Sequence, residues 1–284
     1  MVNQLVIHVL GTAQDGGYPH AGCQDDCCLN IWDQPSLHRL PASIAAIDQK
    51  NNKLYLFDIT PNIKEQLHLL NSYDCELAGV FITHAHIGHY IGLLDLGLEI
   101  MNTDKIPVYV MPRMKNFILN NQPMAQLIEN DNIKLMDIQN DKAILFDNLS
   151  VIPFEVPHRN ELSETVGFRL LSSNKSIIYL PDIDDWDTWD VQLDKFVIDN
   201  DILFLDGTFY KKSEIKLRDA SRIPHPEIID TINRLSSLSN QHKKRVHFIH
   251  LNHTNNVLKE NSEAFKYVVN AGFSITKENQ IFKI

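Results

Sequence analysis

The 284-residue chain is 44% hydrophobic and 22% charged, with a formal net charge of −10, the balance of a globular protein long enough to bury a large core. Such acidity speaks against a clustered basic face, so no nucleic-acid partner is expected, whereas a small anionic substrate stays open because local charge overrides the global sum. No run approaches the ~18 apolar residues that span a bilayer, and Met1-Val2-Asn3-Gln4-Leu5-Val6-Ile7 lacks a basic segment ahead of a long apolar core, so neither a signal peptide nor a membrane partner is expected and the protein is read as cytoplasmic.

In chain order, Leu5–Leu10 reads as a first strand that ends in the loop Gly11-Thr12-Ala13-Gln14-Asp15-Gly16-Gly17, which needs glycine freedom. Strands are expected at Ser43–Asp48 and Leu54–Asp58, joined by the polar turn Gln49-Lys50-Asn51-Asn52. Pro61 opens a helix through about Leu70, with Thr60 as its N-cap. A strand at Ala78–Thr83 precedes a histidine cluster, and a helix is expected from about Gly88 to Met101. Ile106–Met111 reads as a strand, followed by helical segments to about Glu129. The second half continues with strands near Ile133–Asp137, Ala143–Phe146, Val151–Pro157, Thr165–Leu171, Ser176–Leu180 and Ile202–Asp206. A helix from about Pro226 to Leu238, a strand at Arg245–His250, a helix at Ser262–Asn270 and short strands Ser274–Thr276 and Ile281–Ile284 complete the pattern. No low-complexity linker divides the chain, and residues 1–284 read as one layered α/β domain.

The chemistry concentrates at strand ends. Thr83-His84-Ala85-His86-Ile87-Gly88-His89 follows the apolar run Ala78-Gly79-Val80-Phe81-Ile82 and aims three imidazoles at one region. Asp58, His158, Asp182 and His250 also end apolar runs, as expected where a rigid sheet presents a site at its edge. Cys23, Cys27 and Cys28 fall within six residues, spacing that in a cytosolic chain favours metal ligation over a disulfide framework. Free thiols on a loop are the alternative. Cys75 reads as a small buried or semi-buried residue.

This ordered set, aspartate, histidine cluster, histidine, aspartate, histidine, resembles the metallo-β-lactamase fold superfamily over nearly the whole chain. The resemblance implies a four-layer αββα sandwich, two mixed sheets flanked by helices. It also implies one or two divalent metals, zinc, manganese or iron, in an active site at the sheet edge. His84, His86 and His158 would hold the first metal, Asp182 would bridge, and His89 and His250 would hold the second. Asp58 would orient the histidine loop from behind. Gly88 departs from the pattern, which has an aspartate ligand there, so the second metal is expected to bind more weakly.

Leu10-Gly11-Thr12-Ala13-Gln14-Asp15-Gly16-Gly17-Tyr18-Pro19 and Phe248-Ile249-His250-Leu251-Asn252-His253-Thr254-Asn255 are similar to segments of coenzyme PQQ synthesis protein B. The cysteine cluster and His253 resemble those of the phosphonate-pathway cyclic phosphodiesterase, which implies a separate structural zinc site. Its firmer ligands would be Cys23, Cys28 and His253, with Cys27 or Asp25 completing four and His20 in reserve. Thiolates and imidazole suit zinc. By the same resemblance His225 would be a general acid, against the simpler reading of a histidine at a helix start. Asp182 and Asp58 complete the catalytic candidates. Tyr210, Arg218 and Arg222 are candidates for contacting an anionic substrate, while Trp186 and Trp189 either wall the pocket or pack in the core. His8, His68, His242 and His247 read as packed or solvated.

The expected function is a metal-dependent hydrolase acting on a phosphodiester or similarly activated ester through a metal-bound water. An iron-dependent oxidase or hydroxylase related to coenzyme PQQ synthesis protein B is the alternative, and a non-catalytic metal-binding protein is the third reading. The expected partner is a small, anionic molecule, and a homodimer stays open.

Overall fold

A computed structural model describes residues 5–214 and 223–284. Its strands are β1 (Leu5–Gly11), β2 (Ser43–Asp48), β3 (Lys53–Phe57), β4 (Glu76–Phe81), β5 (Ile106–Val110), β6 (Ile133–Asp137), β7 (Ile144–Leu145), β8 (Ser150–Glu155), β9 (Val166–Leu171), β10 (Ser176–Leu180), β11 (Ile202–Asp206), β12 (Val246–Ile249), β13 (Ser274–Ile275) and β14 (Ile281–Lys283). They form two seven-stranded sheets, ordered β14-β1-β2-β3-β4-β5-β6 and β13-β12-β11-β10-β9-β8-β7. Both are mixed: β1 pairs antiparallel with β2, while β3, β4, β5 and β6 run parallel, and β10, β11, β12 and β13 run parallel in the second sheet.

The helices are α1 (Ile63–Leu70), α2 (Ile87–Tyr90), α3 (Pro112–Leu119), α4 (Gln122–Glu129), α5 (Leu193–Ile198), α6 (Ile228–Arg234), α7 (Asn240–Lys243) and α8 (Glu263–Asn270). Three apolar layers explain the sandwich. Phe57, Phe81, Phe168, Tyr179 and Phe204 pack between the sheets. Ile63 and Leu70 of α1, Met114 of α3 and Leu127 of α4 cover the outer face of the first sheet. Phe196 of α5, Ile232 of α6 and Val268 of α8 cover the second. Central strands such as β2 and β11 are buried along their whole length, because sheets covered on both faces need apolar residues at successive positions. The expected αββα architecture is the one found.

Local expectations differ at several elements. The helix expected over Gly88–Met101 stops at Tyr90 and continues only as a 3₁₀ segment, Ile91–Leu96. Gly92 N–H donates to the Ile59 carbonyl instead of to its own helix, and a Cβ on Gly92 would lie 2.2 Å from the Thr60 carbonyl oxygen. The backbone is thus diverted by its close approach to the end of β3. The N-cap of α1 is Asn62, whose N–H donates to Thr60 Oγ1, so Thr60 supports the helix from two residues upstream. Helices α5 and α7 are elements that the sequence pattern does not assign. Among the described residues no helix is long and apolar enough to cross a membrane.

Candidate metal centre

The ligand candidates lie in the segments that follow strands, with His89 in α2. The chain leaves β4 into Thr83–His89, β8 into His158, β10 into Asp182 and β12 into His250. Asp58 and His250 adopt left-handed backbone angles, φ 64° and 63°. Such geometry is uncommon outside glycine, costs of order 1–3 kcal/mol, and clusters at functional sites.

Three nitrogen atoms converge first. His86 Nδ1 lies 2.8 Å from His84 Nε2 and 3.2 Å from His158 Nε2. Asp182 faces both this triad and a second group. Its Oδ1 is 3.6 Å from His158 Nε2, while its Oδ2 is 3.1 Å from His89 Nε2 and 3.3 Å from His250 Nε2. The second group has a member that the sequence pattern did not single out. Asp15, from the glycine-rich loop after β1, places Oδ1 3.3 Å from His89 Nε2. Its signals in sequence are its place in a glycine-rich loop and in the segment Leu10–Pro19 that carries the family resemblance.

The far nitrogen of nearly every imidazole is tied down, which fixes ring orientation and leaves the other nitrogen for a ligand. His89 Nδ1 donates to Asp58 Oδ2 at 2.7 Å, and His158 Nδ1 donates to Asp184 Oδ1 at 2.8 Å. Thr83 Oγ1 donates to Asp58 and lies 2.9 Å from His84 Nδ1, and Thr208 Oγ1 lies 2.9 Å from His250 Nδ1. His86 is reversed, with Nδ1 inward and Nε2 3.3 Å from the Arg159 guanidinium. Asp58 also accepts from the Thr83 backbone N–H and from Tyr179 Oη and is fully buried. It is therefore placed to position the histidine loop from behind.

The donor set fits a divalent cation. Asp15 Oδ1, Asp182 Oδ2 and His250 Nε2 are buried without a hydrogen-bond partner, an arrangement that is costly unless a positive charge lies among them. Burial opposes ionisation of Asp182, yet His250 and His89 outweigh it and hold the carboxyl well below its usual range. Burial likewise opposes ionisation of Asp15, but the charge of His89 beside it brings the carboxyl down to about 2. Burial alone would keep His84 neutral, and the neighbouring His89 adds to that effect, as a neutral imidazole ligand requires.

His225 lies at the same edge. Its Nδ1 donates to Asp206 Oδ2 at 2.6 Å and lies 3.9 Å from Asp182 Oδ1, and its ring centroid is 5.3 Å from that of His158. Burial disfavours its protonation, but the Asp206 carboxylate prevails and raises its pKa. Arg159, half-buried beside His86, is a second residue that the sequence pattern did not single out. Trp186 donates to Thr231 Oγ1 and packs with Trp189 in the core beneath α6, which decides between the two readings of these tryptophans. Tyr210 packs toward Tyr267, and Arg218 and Arg222 lie outside the described residues.

The cysteine cluster forms a separate group. Cys23 Sγ is 3.6 Å from Cys27 Sγ, which is 3.9 Å from Cys28 Sγ; His253 Nδ1 is 3.5 Å from Cys27 Sγ and 3.4 Å from Cys28 Sγ. Ligands around one tetrahedral zinc would be spaced about 3.8 Å for sulfur pairs and about 3.6 Å for sulfur and nitrogen. Burial pushes the Cys28 thiol up to about 12, so thiolates persist here only around a cation. Cys27, not Asp25, is the candidate whose donor atom lies within 4.8 Å of those of Cys23, Cys28 and His253. The Asp25 backbone carbonyl accepts the Cys28 and Leu29 N–H groups that shape the turn, and the His20 ring lies tilted against that of His253, with centroids 4.4 Å apart.

Residues 54–251 match a family described as the Beta-lactamase superfamily domain. Coenzyme PQQ synthesis protein B of Xanthomonas axonopodis pv. citri is 23% identical, with 96% of this chain and 97% of that protein covered. The crystal structure of Zn(2+)-bound PqqB from Methylobacterium extorquens is similar with a TM-score of 0.83 at 21% identity, covering 98% of this chain and 100% of that one. A diphosphatase from the PhnP family is similar with a TM-score of 0.70 at 21% identity, covering 100% of this chain and 98% of that one.

Proposed function

The chain belongs to the β-lactamase superfamily, in its metallo-β-lactamase fold, and on that premise we propose a metal-dependent hydrolase acting on a phosphodiester or similarly activated ester. The observation that carries this reading is the placing of His225, held by Asp206, beside the Asp182 carboxylate and a histidine triad. His84, His86 and His158 would hold one divalent metal, and Asp182 would share its two oxygens between that position and His89 with His250. A metal there supplies a Lewis acid and water ionised near neutral pH.

The chain's own groups do the rest. Asp58 and Asp184 fix the His89 and His158 rings. The Arg159 guanidinium, beside His86, brings positive charge to the site that suits an anionic phosphoryl group. His225, protonated through its Asp206 partner, delivers a proton to the departing oxygen. Zinc at Cys23, Cys27, Cys28 and His253 would be structural, with no open position.

Bis(p-nitrophenyl) phosphate, supplied with zinc, manganese or iron(II), tests the proposal. Metal-dependent release of p-nitrophenolate, lost in His158→Ala, is expected. A second reading, an iron-dependent oxidase or hydroxylase, draws support from the near full-length similarity to coenzyme PQQ synthesis protein B and from a ligand set of nitrogen and oxygen that also suits iron. Oxygen consumption with iron and no diester cleavage would replace the first reading with the second. Metal binding with neither activity would leave a metal-binding protein without catalysis.

A further inference from the structure

We infer that Asp15, carried by the N-terminal loop, is the carboxylate ligand of the second metal position and stands in for the aspartate absent at Gly88. The inference rests on the metal-enzyme reading above but adds a residue far away in sequence from the histidine motif.

The geometry is mutually exclusive. A Cβ built on Gly88 would lie 2.2 Å from Asp15 Oδ1 and 2.5 Å from Asp15 Cα. No side chain fits at position 88 while the loop is seated, and the space is already filled by a carboxylate from another segment. Gly88 is thus the vacancy into which Asp15 fits, and its presence does not imply that the second position has decayed.

The spacing of the donors agrees. Nitrogen and oxygen ligands at about 2.0–2.1 Å from one tetrahedral ion lie about 3.3 Å apart. His89 Nε2 is 3.3 Å from Asp15 Oδ1 and 3.1 Å from Asp182 Oδ2, and that oxygen is 3.3 Å from His250 Nε2. With Asp15 counted, the second position has four protein donors, Asp15, His89, His250 and Asp182.

The loop is also held where the ligand is needed. Gln14 N–H donates to the Leu251 carbonyl at 3.0 Å, and Leu251 N–H donates to the Thr12 carbonyl at 2.8 Å. Asn252 Nδ2 donates to Gln14 Oε1. Asp15 is therefore fastened to the segment that carries His250, so the two ligands move as one unit.

Metal content and affinity, measured by elemental analysis and calorimetry with manganese and zinc on the full-length protein, test the assignment without recourse to activity. Wild type is expected to bind two equivalents beyond the cysteine-site zinc. Asp15→Asn should keep the cysteine-site zinc and one active-site equivalent while the second weakens at least 10-fold. Gly88→Asp alone should also weaken the second equivalent, because it displaces the loop. The double variant Asp15→Gly/Gly88→Asp, which moves the carboxylate back, should recover most of the lost affinity. Retained cysteine-site zinc reports that the loop region of each variant is folded. Wild-type affinity for both active-site equivalents in Asp15→Asn would overturn the assignment, as would only one active-site equivalent in wild type. No metal at His84, His86 and His158 in wild type would overturn the enzyme reading and this inference together, a result distinct from the loss of one equivalent.

Discussion

His250 and His253 stand on one loop three residues apart, yet they face donor groups of opposite character. His253 joins three cysteines at spacings that close a tetrahedron with protein atoms alone. His250 joins aspartates and histidines spread over two positions that share Asp182. A closed thiolate site has no place for substrate, whereas a histidine-carboxylate site that shares one carboxylate between two positions admits it when its coordination expands to five. The same two stretches of chain, the loop after β1 and the loop after β12, contribute residues to both donor groups. The closed site thus fastens together the segments from which the open site draws Asp15 and His250. Rigidity and reactivity are assigned to neighbouring residues of different chemistry.

The largest effect should come from the open site. His84→Ala or His158→Ala is expected to remove the first metal and lower diester hydrolysis by ~10³-fold or more, with the cysteine-site zinc retained. Loss of both metals together in either variant would contradict the independence of the two sites. Cys28→Ser should act the other way round. Removal of a structural metal ligand is among the changes that cost about 4 kcal/mol or more, a fall in Tm of about 10 °C for a domain of this size, followed by thermal melts. Its second active-site metal should also weaken, because the loop bearing Asp15 loses its fastening. An unchanged second affinity would show that the two sites share a loop without sharing stability.

A smaller effect isolates His225. His225→Gln should slow cleavage of a diester with an alkoxide leaving group by about 10²-fold, and of a p-nitrophenyl diester by much less, because p-nitrophenolate departs without a proton. Equal losses on both substrates would assign His225 a structural part.

The smallest effect concerns the support beneath the loop. Glu278 accepts the Leu40 N–H, and the Leu40 carbonyl accepts the N–H groups of Thr12 and Ala13. Burial pushes the Glu278 carboxyl up to about 7, partly opposed by the Leu40 hydrogen bond and Arg39. A raised carboxyl favours the folded state fully below the unfolded pKa and loses that contribution as pH rises through about 7. Urea midpoints should fall between about pH 4.5 and 7 through this group, and Glu278→Gln should flatten that slope. An equally steep slope in the variant would remove Glu278 from the explanation.

Much of the site was legible because its ligands end apolar strands. Val80-Phe81-Ile82 before His84, Tyr179-Leu180 before Asp182 and Phe248-Ile249 before His250 mark buried strands whose next residues must turn out at the sheet edge. The cysteine cluster was legible from spacing alone. Asp15 was not, since its significance depends on the space above Gly88, which only the packing of the β1 loop on the α2 segment defines. Arg159 escaped because its meaning lies in the reversed His86 ring rather than in its neighbours in sequence. The short α2 escaped for a similar reason, because a distant carbonyl at Ile59 captures the Gly92 N–H and ends the helical ladder.

A crystal structure of the metal-loaded protein, with anomalous scattering used to place each ion, tests the two-site arrangement most directly. Three peaks are expected: one within Cys23, Cys27, Cys28 and His253, one within His84, His86 and His158, and one between Asp15, His89 and His250, with Asp182 between the last two. A fully loaded crystal with no peak beside Asp15, His89 and His250 would contradict it.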